Sequence, residues 1–195
     1  MMAPRLRLWV PCSWPRIGLL TVLAFGLWGL KRHYATAEVG ELAWILKPVA
    51  SLSAVASGAA FEWEPGAGYL SRERLFVIAK PCAGVNFMLA AWGMVGFLLS
   101  ERARSWRAGA QLWALSLVMA YIATVFANTL RIVVALWLAL HPAASGWWTA
   151  ARIHRLEGIA VYFGMLVALH LLVQRMARTT SASASRPEAR EAGAA

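Results

Sequence analysis

Apolar runs of roughly membrane length alternate along this chain with short polar, mostly basic stretches. Residues 17–30 are apolar and end at Lys31-Arg32-His33. A spanning helix needs roughly 20 residues, which Trp14 and the positions just past Leu30 can supply. Residues 42–61 are a weaker segment, with Lys47-Pro48 near the middle and many small side chains; this segment either spans or lies partly in the interface. Residues 62–81 are polar and read as an extramembrane loop, with a short apolar stretch at 75–79. Residues 82–100 and 108–127 are clear spans, separated by the basic turn 101–107. The second runs into Asn128-Thr129-Leu130-Arg131, and 132–140 continue apolar to His141-Pro142. Residues 143–153 form a small loop containing Gly146-Trp147-Trp148, and 154–173 are the last span. There is no internal repeat. The pattern predicts an all-α fold, a polytopic transmembrane helical bundle of about 4–6 membrane segments. A basic, proline-containing tail (1–16) precedes the membrane domain (17–175), and an Arg/Ser/Ala-rich tail (176–195) reads as disordered.

Composition agrees. Only 14% of residues are charged and 60% are hydrophobic, with a mean hydropathy of +0.57, whereas soluble domains are about a quarter charged. Eleven tryptophans suit a protein with two membrane–water interfaces. The net charge of +10 would also suit nucleic acid. The basic residues instead cluster in short stretches beside apolar runs, where they set topology. Membrane lipids are therefore the expected surroundings and no nucleic-acid partner is expected. Cys12 and Cys82 are the two cysteines, with no CxxC and no Cys/His cluster, so no metal site and no cofactor are expected. No small-residue cleavage site follows the first apolar run, which reads as a retained helix.

Charge bias also gives sidedness. The turn 101–107 has Arg102, Arg104 and Arg107 against Glu101, and Arg175 and Arg178 follow the last span. Short Lys/Arg-rich segments stay cytoplasmic. With both inside, Cys82, Arg131 and His154 all arrive at the outer face. The N-terminal half is ambiguous: Arg5, Arg7 and Arg16 favour an inside N-terminus, while Lys31 and Arg32 argue the other way. If the N-terminus is inside, 42–61 is not a simple full span, and Cys12 lies across the membrane from Cys82.

Several residues at that face bear chemistry. Cys82 follows Pro81 at the start of a span, and proline favours the first helical position. A free thiol has a pKa of about 8.5 and needs activation, which a helix N-terminus helps to supply. The competing reading is a small buried hydrophobe. The small Ala83-Gly84 pair would let a substrate backbone approach. Arg131 sits among apolar neighbours, where an arginine faces a cavity or partner or snorkels to headgroups. It cannot act as a base but can donate to a carboxylate or an oxyanion. Asn128, three residues earlier, shares its helical face. His154 is the usual type of base for a cysteine, with Glu157 able to orient it and Gly158 one turn on; alternatively it is part of an interfacial polar cap. His33, His141 and His170 read as structural. GxSxG and HExxH motifs are both missing.

The segments Pro81-Cys82-Ala83-Gly84-Val85-Asn86-Phe87, Asn128-Thr129-Leu130-Arg131 and His154-Arg155-Leu156-Glu157-Gly158, in that order on successive membrane segments, resemble the exosortase/archaeosortase family, most closely its K-type exosortases. The resemblance covers roughly residues 40–175. It implies a membrane-embedded cysteine protease or transpeptidase that cuts C-terminal sorting signals of exported, membrane-tethered proteins and can transfer the product to an acceptor. Cys82 would be the nucleophile, Arg131 the partner of an oxyanion or substrate carboxyl, and His154 the acid/base, where some relatives have arginine. The expected location is the plasma (inner) membrane, with the site on the outer, periplasmic side and the C-terminus in the cytoplasm. A non-catalytic scaffold or chaperone in envelope or export assembly is the alternative of a different class. A small transporter using Arg131 and Glu157 is disfavoured because the polar residues gather at one face.

Overall fold

The computed structural model describes residues 14–141 and 149–184, with the side chains of 150, 151, 154, 177 and 179–184 excepted. The loop around Gly146-Trp147-Trp148, most of the N-terminal tail with Cys12, and 185–195 lie outside the described residues. The element order is α1 (Trp14–Thr36), a 3-10 turn (Gly40–Leu42), α2 (Ala43–Ser57), β1 (Glu62–Glu64), β2 (Gly68–Ser71), β3 (Phe76–Ile78), a second 3-10 turn (Lys80–Ala83), α3 (Val85–Ser100), α4 (Trp106–Leu140) and α5 (Ala150–Ala184).

Among the described residues, three segments are long and apolar enough to cross a membrane: Lys80–Ser100, Trp106–Leu140 and Arg155–Met176. The first is central. Val85, Ala91 and Val95 are fully buried, with Phe87, Met88 and Trp92 nearly so. The last is peripheral, with Ile159, Phe163, Leu171 and Leu172 exposed. Large apolar side chains also face outward on α1 (Val22, Phe25, Trp28) and α4 (Val118, Ile122, Phe126). Helices apolar on their outer surface as well as their inner one suit lipid as the surrounding medium.

The bundle has two distinct ends. At one, Arg16 at the start of α1 lies 3.9 Å from Glu101 in the α3–α4 turn. At the other, Lys31 near the end of α1 donates to Asn86 Oδ1 at the start of α3 (2.8 Å). The two helices are therefore antiparallel along their length. α4 begins at Ser105, whose hydroxyl accepts from the Ala108 N–H (3.2 Å), a standard N-cap. It fastens to α3 midway through a buried Trp92 Nε1 to Ser116 Oγ hydrogen bond (3.1 Å).

Several expectations need correction. The fold is mostly helical and broadly fits the all-α expectation; within the segment read as an extramembrane loop, 62–81, β1, β2 and β3 form a small antiparallel meander. Its β1–β2 turn uses Gly66 and Gly68 at positive φ (80° and 119°), conformations open to glycine. Residues 14–16 belong to α1, not to a tail. The stretch 132–140 is the continuation of α4, whose 35 residues extend about 52 Å, well beyond a hydrocarbon core of about 30 Å. The last helix passes position 176 and is described as far as Ala184. Within 42–61, α2 has 15 residues, about 22 Å, too short to cross. Both of its flanks meet Lys80: Ala35 and Ala37 bind its ammonium, and β3 leads directly into it. The chain therefore enters and leaves α2 at the same end of the bundle.

Candidate active site

The polar end of the bundle is built around the Lys80–Ala83 turn. Ala79 is extended (φ −99°, ψ −178°) and Pro81 occupies an early position of the turn, where its fixed φ fits and its missing N–H costs nothing. The Cys82 N–H donates to Ala79 O (2.8 Å). Gly84 then adopts a left-handed conformation (φ 65°) and starts α3. Cys82 is half-buried against the core. The turn is held from α1: Lys80 Nζ donates to Ala37 O (2.7 Å) and Ala35 O (3.4 Å), capping carbonyls left open at a helix end. The same ammonium stands 5.4 Å from the Tyr34 ring centroid, and Tyr34 OH donates to Lys80 O (3.4 Å).

α4 brings two residues to this turn. Asn128 is buried, and a Cβ built on Gly84 would lie 2.7 Å from its Cγ and Oδ1. The space beside Gly84 is thus filled by the Asn128 amide. This corrects the expectation that Gly84 makes room for a substrate backbone. Arg131 lies within electrostatic reach of the Cys82 thiol and the Glu157 carboxyl group. Its Nη1 donates to Tyr162 OH (3.3 Å), and its guanidinium carbon stands 5.4 Å from the Tyr162 ring centroid.

α5 supplies the opposite wall. Gly158 is buried, and a Cβ there would lie 3.0 Å from Arg131 Nε, so the arginine passes directly over the glycine. Both Glu157 carboxylate oxygens are shielded from solvent. Tyr162 OH donates to Asn128 Oδ1 (2.5 Å), and its ring stacks on Phe87 of α3 (5.1 Å, 29°).

Six of the residues singled out from the sequence, Cys82, Gly84, Asn128, Arg131, Glu157 and Gly158, thus gather at one end of the bundle. The side chain of His154 lies outside the described ones; its backbone is helical, one turn before Gly158 and two before Tyr162. His170 pairs with Gln174 within α5 (2.8 Å). His141 Nδ1 lies 3.0 Å from Trp137 O, at the end of α4. No group of three His, Cys, Asp or Glu among the described residues could hold a metal ion.

Two tyrosines at the site were not anticipated. Tyr162 had a signal: it continues the i, i+4, i+8 face of His154 and Gly158. Tyr34 had none, because its place depends on how the end of α1 packs on the turn. Beside the site, a cleft of about 640 Å³ is lined by Glu38, Gly40, Trp63, Gly66, Lys80 and Pro81, among others; it meets the site at Pro81, the neighbour of Cys82. Chemically, the thiol and the guanidinium belong to the same end of the bundle and interact electrostatically, and a guanidinium's five N–H donors are able to stabilise a thiolate or an oxyanion.

No family model matches this chain, and neither does any curated protein or solved structure.

Proposed function

We propose that this chain is a membrane-embedded cysteine peptidase or transpeptidase of the exosortase kind, acting on C-terminal sorting signals of membrane-tethered exported proteins. The observation that carries the reading is that α4 meets the Cys82 turn at Gly84 through Asn128, whose Oδ1 is joined by Tyr162 OH to Arg131, one turn on. The same three sequence elements that resemble the family meet at that one end.

In this reading the Cys82 thiolate attacks a substrate carbonyl carbon, and the carbonyl electron pair moves to oxygen. Arg131 stabilises that oxyanion. Collapse re-forms the carbonyl and breaks the C–N bond; the departing amine takes a proton from His154, leaving a thioester on Cys82. Water or an acceptor nucleophile, losing its proton to His154, then attacks the thioester and releases the thiolate. Asn128, Glu157, Gly84 and Gly158 support the site, and no cofactor takes part. The peptide reaches Cys82 past Pro81, along the cleft or from the lipid side.

The topology follows from charge. The 101–107 turn and the positions after the last span are cytoplasmic, which puts the Cys82 end on the outer side of the plasma (inner) membrane. Arg16 lies 3.9 Å from Glu101, which supports reading the start of α1 as inside as well. At 23 residues, or about 34 Å, α1 is long enough to be read as a fourth crossing, although less apolar than the three spans above, with α2 and the sheet on the outer side. One observation favours the alternative of a non-catalytic scaffold or chaperone: Cys82 packs against the core, as a structural cysteine does.

Processing of a co-expressed exported protein carrying a short motif, an apolar stretch and a basic tail decides between them. Cys82→Ala and Cys82→Ser are expected to abolish cleavage. Full cleavage by both variants would end the peptidase reading.

A further inference from the structure

Tyr162 touches both other helices that build the site. Its ring stacks on Phe87 of α3. Its hydroxyl donates to Asn128 Oδ1 and accepts from Arg131 Nη1, so it bridges two residues one turn apart on α4. The Asn128 end of this bridge is fixed, because that amide is buried and pressed against Gly84. The Arg131 end is the long side chain, with about 2 kcal/mol of rotamer entropy to lose. The bridge, the ring beneath the guanidinium and Gly158 along its stem confine that side chain. One Nη1 hydrogen bond to the tyrosine leaves further donors of the fork for other partners.

We propose that Tyr162 is a positioning residue: its hydroxyl, anchored on Asn128, holds the Arg131 guanidinium at the Cys82 turn in the orientation that acyl transfer needs. The inference rests on the reading of Cys82 as nucleophile. Tyr162 takes no proton in the reaction, because its own is committed to Asn128. It acts through the arginine.

The charged and titratable groups around Cys82 are Tyr34 from α1, Arg131 from α4, Tyr162 and, beyond Arg131, Glu157 from α5, and Lys80 on its own turn. The charged residue of α2, Lys47, is exposed. The backbone of His154, one turn before Gly158, belongs to the same end of α5.

The test is alkylation of Cys82 by iodoacetamide against pH, in full-length Cys12→Ser protein in detergent, with no peptide present. A nearby guanidinium favours thiolate, so Arg131→Gln moves the profile to higher pH. Tyr162→Phe keeps the ring and its stack on Phe87. It is expected to move the profile the same way, with alkylation at neutral pH at least about threefold slower. In the Arg131→Gln background it is expected to add nothing, the signature of acting through that residue. A Tyr162→Phe profile that coincides with the wild type overturns the proposal, as does an equal displacement in both backgrounds. If Tyr162→Phe alone fails to fold, Tyr162→Phe with Asn128→Leu removes both ends of the hydrogen bond without orphaning either and is read in the same way. Peptide processing by a Cys82→Ala variant would sink the peptidase reading and leave this alkylation cycle standing, so the two ideas fail separately.

Discussion

Asn128 on α4 occupies the space that a side chain at position 84 would need. A Cβ on Gly84 would lie 2.7 Å from both Cγ and Oδ1 of Asn128, and Gly84 is also left-handed at φ 65°. The turn carrying Cys82 is therefore locked to α4 by the absence of one methyl group. Gly84→Ala meets two penalties: about 1–2 kcal/mol for a non-glycine residue in that conformation, and displacement of a buried amide. The expected loss is roughly 2–4 kcal/mol in total, read by thermal unfolding in detergent. Adding Asn128→Ala should recover the steric part but not the conformational part. No recovery at all would show that the crowding is relieved elsewhere.

Lys80 ties the end of α1 to the turn through Ala35 O and Ala37 O. Lys80→Met keeps the aliphatic stem and removes both bonds. Hydrogen bonds to charged groups contribute roughly 1.5–3 kcal/mol, and partial exposure puts this case at the low end. The effect should be local: faster proteolysis between residues 36 and 42, with the melting temperature little changed. Unaltered proteolysis would mean that Tyr34 and Lys31 suffice to hold α1 in place.

The buried Trp92 Nε1 to Ser116 Oγ bond joins the central helix to α4. Ser116→Ala orphans a buried indole N–H and should cost about 1–3 kcal/mol. Trp92→Phe in the same background removes the orphaned donor, so the double variant should lose less than the sum of the single ones. Strict additivity in a double-mutant cycle would show that the bond contributes nothing.

The chain reads well where chemistry is expensive and poorly where packing decides. Arg131 among Leu130, Ile132 and Val133 had to find polar company, and charge bias alone sent it to the end that holds Cys82. The reason for Gly84 was misread because small residues look like room, and only the tertiary fold shows Asn128 filling it. The meander was hidden by its charges, although Phe61 and Trp63 alternate with Glu62 and Glu64 before Pro65-Gly66, the pattern of a strand entering a turn. Tyr162 could have been placed by following the His154–Gly158 face one more turn. The single-sided course of α2 could not, since it depends on Lys80 meeting residues on both sides of that helix.

Gly158 offers the cleanest separation of activity from stability. Glycine inside a helix is ordinarily worse than alanine by roughly 0.5–1 kcal/mol, so Gly158→Ala should stabilise α5 wherever space allows. Here the new Cβ would stand 3.0 Å from Arg131 Nε. The neighbour that must give is a long side chain rather than backbone, so the fold should absorb the change while the guanidinium moves off its position. The expected variant is as stable as the wild type or slightly more so, yet under the proposed peptidase function it processes peptide at least about tenfold more slowly, a loss near 1.4 kcal/mol of transition-state stabilisation. Melting temperature and processing rate measured on the same preparation decide the matter. Unchanged processing would mean that Arg131 need not lie against α5 to act on Cys82, whereas a large drop in stability would place the constraint in helix packing instead of the arginine.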